Sequence, residues 1–148
     1  MMKASLLTVT LTLVLASFQA QAACSTRSVR GVWLFDYQGV DIATSSTCAA
    51  VGTLTFTGTT ARVTAMRESC NGSVNNLAGE GSFSLARSCT GQATVALSSG
   101  TTVRFDFNVQ DDDDGDDDDD VGDAGDEMRL AVSAGARTFA GTASRRDD

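Results

Sequence analysis

The chain has 148 residues, of which 42% are hydrophobic, and its formal net charge is −8. It contains no histidine, and its single lysine is Lys3, so the commonest general base and metal ligand is missing. No lysine–arginine cluster is present to neutralise phosphates, which argues against a nucleic-acid partner. The chain also has no proline, so its turns must be formed by Gly, Asn, Asp, Ser and Thr.

The first 22 residues have the pattern of a secretory signal peptide. Lys3 supplies the positive charge, residues 6–18 form an apolar stretch, and Ala20-Gln21-Ala22 is a small-x-small cleavage site. We therefore expect a secreted or periplasmic protein that is cleaved after Ala22. The alternative is a lipoprotein acylated on Cys24, but Gln21 stands where such proteins usually have leucine. No later stretch is apolar enough for a transmembrane segment.

The remaining residues, 23–148, suit one domain with one core and alternate apolar and polar residues in short stretches. Eight such stretches are separated by turn residues: 31–37, 48–57, 61–68, 80–86, 92–98, 101–109, 128–133 and 137–144. Alternation of period two is typical of half-buried strands, so the sequence predicts an all-β fold. Eight strands can close into a single small antiparallel up-and-down barrel without exposed edges. A long acidic loop, 110–127, would then join the sixth and seventh strands.

Alternation predicts which side chains share a face in two of these strands. In the first, Trp33, Phe35 and Tyr37 share one face, where they form either core or a box for an apolar ligand. In the third, simple alternation puts Ala65 on the apolar face and Met66 on the opposite face.

The start of the first strand carries a family resemblance. Gly31-Val32-Trp33 resembles the G-x-W start of calycin-type barrels, which include lipocalins and avidin-like proteins. The rhythm of residues 50–58 and the late Gly141-Thr142-Ala143-Ser144 are similar to bacterial secreted barrels related to allene oxide cyclase. The resemblance implies a barrel that binds a small apolar ligand. It also implies a late arginine over the Trp33 ring, for which Arg129 and Arg137 are both candidates.

All four cysteines follow the signal sequence, and a secreted chain permits disulfides. In an up-and-down barrel, Cys24 and Cys89 precede odd-numbered strands at one end. Cys48 begins the second strand and Cys70 ends the third, both at the other end and about equally far from the turn at Thr59. The sequence therefore predicts the pairs Cys24–Cys89 and Cys48–Cys70 as structural staples.

Residues 110–127 contain eleven aspartates, one glutamate and no basic residue. One interpretation is a solvated run of like charge, the usual fate of such blocks. The other is a calcium site, because calcium binds carboxylate oxygens and part of the run has the ligand spacing of an EF-hand loop. Val121 replaces the glycine usual at the sixth position, so we expect weak binding, at about 10⁻⁴ to 10⁻³ M. The predicted metal ligands are Asp116, Asp118, Asp120, Asp123 and Glu127.

An enzyme with this composition would have to use carboxylates, as glycoside hydrolases do. The candidates are Asp36, Asp41, Glu68, Glu80 and Asp106, with Tyr37 as an acid. Arg104, Asp106 and Asn108 lie on the strand face opposite Phe105 and Phe107, which favours a solvated face over a catalytic one.

We therefore expect a secreted, non-catalytic β-barrel that binds a small apolar ligand through Trp33, Phe35 and Tyr37 and weakly binds calcium through its acidic loop. One alternative is a structural or surface protein whose acidic loop provides only solubility or attachment to a mineral or matrix. A carboxylate-based enzyme is the second alternative. A ligand cavity in the barrel would favour the binding module, and a filled barrel with a disordered acidic loop would favour the structural role.

Overall fold

The barrel consists of eight antiparallel strands. The computed structural model of the chain describes residues 23–110 and 125–146. Each strand pairs with its neighbours in sequence and β1 pairs with β8, which confirms the predicted closed up-and-down barrel. Within the described residues, no helix is long and apolar enough to cross a membrane. The strands are β1 (Gly31–Asp41), β2 (Ser46–Thr57), β3 (Thr60–Cys70), β4 (Ser73–Leu85), β5 (Thr90–Leu97), β6 (Thr102–Gln110), β7 (Glu127–Ala134) and β8 (Arg137–Arg145).

The interior of the barrel is filled by inward-pointing side chains. Phe56 on β2 contacts Phe107 on β6 with ring centroids 5.4 Å apart, and these strands lie on opposite sides of an eight-stranded ring. Phe35 on β1 contacts Phe105 on β6 at 5.6 Å. Gly52 also faces this packing, because an added Cβ would lie 2.8 Å from the Phe35 ring. At these levels the lumen is therefore occupied by the protein's own rings.

A β-bulge in β3 changes the alternation predicted for that strand. Gly52 on β2 lies opposite both Ala65 and Met66, and Ala65 has a φ of 51°, in the left-handed region. Ala65 is consequently exposed and Met66 fully buried, so the prediction for these two residues was wrong. Beyond the bulge the parity of the strand is shifted, which turns Glu68 inward and Arg67 outward.

Strand β4 begins at Ser73, earlier than the predicted residue 80. Its first half pairs with β3 alone, since the pairing of β4 with β5 starts only at Gly79. Apart from the half-buried Leu77, the side chains before Gly79 are exposed. This half of the strand therefore lacks the alternation of apolar and polar residues from which the strand bounds were predicted, and the predicted start at residue 80 was too late.

The two disulfides lie at opposite ends of the barrel and have the predicted pairing. Cys24, in the segment before β1, is bonded to Cys89 before β5. Cys48 on β2 is bonded to Cys70, its cross-strand neighbour on β3. The bonded cysteines are 65 and 22 residues apart, and each such closure stabilises a fold by about 2–4 kcal/mol, mainly by restricting the unfolded chain.

The strand ends that flank the acidic segment lie at the barrel end that holds Cys24 and Cys89. Gln110 on β6 pairs with Glu127 on β7, and the amide of Val109 donates a 2.9 Å hydrogen bond to the carbonyl of Cys89. Residues 111–124 of the predicted loop lie outside the described residues, as do residues 1–22 of the predicted signal peptide.

Candidate functional site

Two buried carboxylates meet at the barrel end that holds Cys48 and Cys70. Asp41 ends β1 and Glu68 lies near the end of β3, and they are 7% and 6% exposed. They are the buried charged side chains of the described chain. Arg137, at the start of β8, lies between them, and Tyr37 lies four residues before Asp41 on the same inner face of β1. We call these four residues the ionic cluster.

One guanidinium joins the two carboxylates of the ionic cluster. Arg137 Nε donates to Asp41 Oδ2 at 2.9 Å, and Arg137 Nη1 donates to Glu68 Oε2 at 3.4 Å. Asp41 Oδ1 accepts hydrogen bonds from the backbone amides of Ala43 at 3.0 Å and Thr44 at 3.4 Å, in the β1–β2 turn. Arg137 thus connects β1 with β3 across the mouth of the barrel and, with its Cα partner Asp41, strengthens the β1–β8 seam.

The environment of the cluster keeps Asp41 ionised and Tyr37 neutral. Burial alone would raise the pKa of Asp41, but hydrogen bonds from Arg137 and from the amides of Ala43 and Thr44, with the Arg137 charge, hold that pKa below its ordinary value. Burial raises the pKa of Tyr37, and the negative charge of Glu68 raises it further, while Arg137 only partly opposes this. A charged carboxylate pair sharing one arginine is an arrangement that locks strands together.

The structure brings three of the carboxylate-enzyme candidates together and leaves the others apart. Asp41, Glu68 and Tyr37 share the ionic cluster, whereas the remaining three lie on the outer surface. Glu80 is paired with Arg62 at 2.6 Å. Asp106 is paired with Arg104 at 2.7 Å, and the hydrogen bonds from Arg104 hold the pKa of Asp106 below its usual range. Asp36 accepts a hydrogen bond from Thr142 at 3.2 Å.

Trp33, Phe35 and Tyr37, the predicted ligand-binding residues, all point into the barrel and are 0–3% exposed. They lie against other core rings rather than against open space. Phe35 contacts Phe105, and Tyr37 contacts Phe139 with ring centroids 4.8 Å apart. The three side chains are therefore part of the packed core.

The arginine over Trp33 is Arg145, and neither Arg129 nor Arg137 occupies that position. The Arg145 guanidinium carbon is 5.0 Å from the centroid of the Trp33 ring, and the two residues are Cα partners in the β1–β8 pairing. Arg129 instead points outward and donates to Gln110 at 3.3 Å. Arg145 is six residues after Phe139 on β8, so alternation of period two puts both side chains on the inner face. The sequence alone could therefore have identified Arg145 as the arginine near Trp33.

Arg145 also closes the barrel end that holds Cys24. One of its terminal nitrogens donates to the carbonyl of Ser28, in the turn that precedes β1. Trp33 Nε1 donates to the carbonyl of Val29 at 2.8 Å, and Val29 is fully buried beneath the barrel. Arg145 Nε is 3.8 Å from Asp126 Oδ1, so the arginine also reaches the strand end beside the acidic segment.

Of the predicted calcium ligands, Glu127 belongs to the described chain, where it is exposed at the start of β7. Asp116, Asp118, Asp120 and Asp123 lie outside the described residues. Within 23–110 and 125–146, no group of three or more acidic, histidine or cysteine side chains could hold a metal ion.

These features define a closed eight-stranded antiparallel β-barrel with a filled interior and a disulfide at each end. No family model matches the chain, and no curated protein matches it significantly. Among solved structures it is similar to a protein described as the de novo design of a fluorescence-activating β-barrel, with a TM-score of 0.47 and 13% identity over 82% of this chain and 96% of that chain. The resemblance to calycin-type barrels and to barrels related to allene oxide cyclase stays a prediction.

Proposed function

We propose that the protein is a secreted or periplasmic, non-catalytic β-barrel that binds calcium weakly through its acidic segment, residues 110–127. The partition of charge carries this proposal. In the barrel body, Asp41, Glu68, Glu80 and Asp106 are each paired with an arginine. The acidic segment has twelve carboxylates and no arginine or lysine in its own sequence. The sequence of the segment therefore supplies no cation of its own, and within the described residues Asp126 lies 3.8 Å from Arg145 of β8.

The ligands in this proposal are Asp116, Asp118, Asp120, Asp123 and Glu127. Calcium prefers carboxylate oxygens, and crowded carboxylates repel one another until a cation bridges them. The β6–β7 hairpin supports the proposal because it fixes the two flanks, Gln110 and Glu127, opposite each other.

Calorimetric titration of the purified protein with calcium tests the proposal, with magnesium as a comparison. We expect binding in the high-micromolar to millimolar range, about 10⁻⁴ to 10⁻³ M, and a calcium-dependent rise in melting temperature. The matched variant Asp116→Asn/Asp118→Asn/Asp120→Asn should lose the response and keep the barrel. A chain without residues 111–124, which retains Asp126 beside Arg145, should behave in the same way. Absence of heat and of any melting shift would leave the structural or surface role, in which the segment provides solubility or attachment.

The non-catalytic part of the proposal is supported by the ionic cluster. A general acid needs a carboxyl group whose pKa is raised, whereas the pKa of Asp41 is lowered and its carboxylate already accepts hydrogen bonds from Arg137 and two amides. Hydrolysis of a panel of glycosides by the purified protein, lost in Glu68→Gln, would instead favour the carboxylate enzyme.

A small apolar ligand on Trp33, Phe35 and Tyr37 stays a prediction that rests on the family resemblance. The ring contacts with Phe105 and Phe139 mean that such a ligand would have to displace core side chains. Native mass spectrometry of the protein as isolated tests it directly, since a co-purified ligand would appear as added mass.

The extracytoplasmic location is supported by the two disulfides, because oxidising compartments permit such bonds. N-terminal sequencing of the exported protein should give Ala23 as its first residue. Acylation at Cys24 would contradict both the cleavage site and the Cys24–Cys89 bond.

A further inference from the structure

The exposed large hydrophobic side chains lie on one side of the barrel. They are Leu34, Val40, Ile42, Val51 and Val74. All five belong to β1, β2, β4 or the turn between β1 and β2, and within the described residues no exposed large hydrophobic side chain belongs to β5–β8. Single exposed hydrophobic residues are ordinary, but their concentration on one half of a barrel surface indicates a contact face.

The centre of this face is a depression at the bulge. Leu34 on β1 and Val51 on β2 are 47% and 56% exposed and project on either side of it. The floor is formed by the backbone of Gly52 and by the small side chain of Ala65, which the bulge turns outward. Two projecting apolar side chains therefore stand beside a hollow on the same surface.

Two opposite charges flank Val51 in one row across three strands. Asp36 on β1 and Arg67 on β3 are the cross-strand partners of Val51 on its two sides. With strands about 4.8 Å apart, the two charged residues are separated by roughly 10 Å, with Val51 between them. Neither forms an ion pair with any residue of the described chain, unlike the outer pairs Arg62–Glu80 and Arg104–Asp106.

We infer that this face, comprising Leu34, Asp36, Val51, Ala65 and Arg67, binds a second copy of the same chain in a two-fold arrangement. A two-fold axis near Val51 brings Asp36 of each copy to Arg67 of the other, so both unpaired charges gain partners at once. A symmetric contact uses the same patch on both copies, which requires a patch of this self-complementary kind. The two Val51 side chains meet at the centre, where apolar contact contributes most.

The placement of the acidic segment is compatible with this dimer. The face is centred on β2, and β6, which precedes the acidic segment, is half a turn away around the eight-stranded ring. The acidic segment, with twelve negative charges in its sequence, is therefore attached to the barrel on the side away from the contact. Because the face is small and its charges are exposed, the association is weak and is weakened further by salt.

Sedimentation equilibrium of the purified protein, over concentrations up to about 1 mM at low salt, tests this inference through charge reversal. Asp36→Arg places arginine against arginine in both symmetric contacts, and Arg67→Asp places aspartate against aspartate. Each single variant should weaken dimerisation by at least about tenfold, because like charges across an interface are strongly unfavourable. The double variant Asp36→Arg/Arg67→Asp should restore the dimer, and so should an equimolar mixture of the two single variants.

Arg129→Asp is the matched control, since it makes the same change at an exposed strand position on β7. It should leave dimerisation unchanged, and the fluorescence of Trp33 should show that every variant is folded. A protein that stays monomeric throughout the concentration range would overturn the inference. So would a dimer that responds equally to Arg67→Asp and Arg129→Asp, or a folded double variant that fails to associate.

Discussion

The guanidinium carbon of Arg145 lies 5.0 Å from the centroid of the Trp33 ring, at the barrel end that holds the Cys24–Cys89 bond. The same side chain donates to the carbonyl of Ser28, so it holds the segment before β1 beneath the barrel. Trp33 and Arg145 therefore act together as the closure of this end.

Replacing Arg145 with methionine should destabilise the protein by about 2–4 kcal/mol, because the variant loses a cation–π contact and leaves the Ser28 carbonyl without its donor. Denaturant unfolding followed by the fluorescence of Trp33, the only tryptophan, measures this change. Arg129→Met is the control, since Arg129 is exposed and bonds only Gln110 among described side chains; its effect should stay within about 0.5 kcal/mol. Equal effects of the two substitutions would contradict the closure by Arg145.

Tyr37, the only tyrosine, should make the protein sensitive to alkaline pH. Its pKa is raised in the folded state by burial and by Glu68, so the folded protein holds the phenol proton more tightly than the unfolded chain. The corresponding stabilisation is fully present below the ordinary tyrosine pKa of about 10 and is lost as pH rises above it.

Absorbance of tyrosinate, recorded beside Trp33 fluorescence, tests this expectation. Ionisation should coincide with unfolding, and Tyr37→Phe should flatten the alkaline fall in stability. Glu68→Gln should lower the pKa of Tyr37, because it removes the nearby negative charge. Ionisation near the free value in a protein with native fluorescence would show that Tyr37 is not buried as described.

Asp41 should govern part of the response to acid. Because its folded-state pKa is lowered, its stabilisation is present above the ordinary aspartate pKa of about 3.9 and is lost as pH falls through the lower folded value. Urea unfolding across this pH range should show a flatter acid limb for Asp41→Asn than for the unmodified protein. An unchanged limb would mean that Asp41 keeps its ordinary pKa.

Arg137 should matter more than an arginine in a surface pair. Arg137→Met leaves the carboxylates of Asp41 and Glu68 buried without their cation, which is strongly unfavourable. Arg62→Met breaks only the exposed pair with Glu80, and such pairs contribute little. The midpoint of urea unfolding should therefore fall clearly for Arg137→Met and hardly for Arg62→Met, and the reverse order would contradict the role of the ionic cluster.

Ala65→Gly should stabilise the protein by about 0.5–1 kcal/mol, because the left-handed φ of Ala65 disfavours a side chain and glycine adopts it freely. Ala65 is exposed, so no packing is lost. Ala96→Gly, at an exposed position of β5 without this φ, should instead destabilise by about 0.5–1 kcal/mol. Thermal melts of both variants decide the point, and a lower melting temperature for Ala65→Gly would contradict it.

Much of the fold followed from the sequence, because the strands alternate in polarity where they are flanked by two neighbours. The pairing of Cys48 with Cys70 followed from their equal distance to one turn, and the structure confirms it. The early part of β4 could not be predicted, since it has one neighbouring strand and carries no apolar signal. The ionic cluster was also hidden, because Asp41 and Arg137 are far apart in sequence and meet only through the β1–β8 register.

The bulge at Ala65 also bears on how relatives of this protein would align with it. One extra residue at this point lets Val63 and Met66 both face inward, although their separation does not fit a period of two. A related chain with a regular third strand would therefore align only with a single-residue gap at position 65. An ungapped alignment would match its inner residues to Arg67 rather than to Glu68, the acidic residue that faces the barrel mouth.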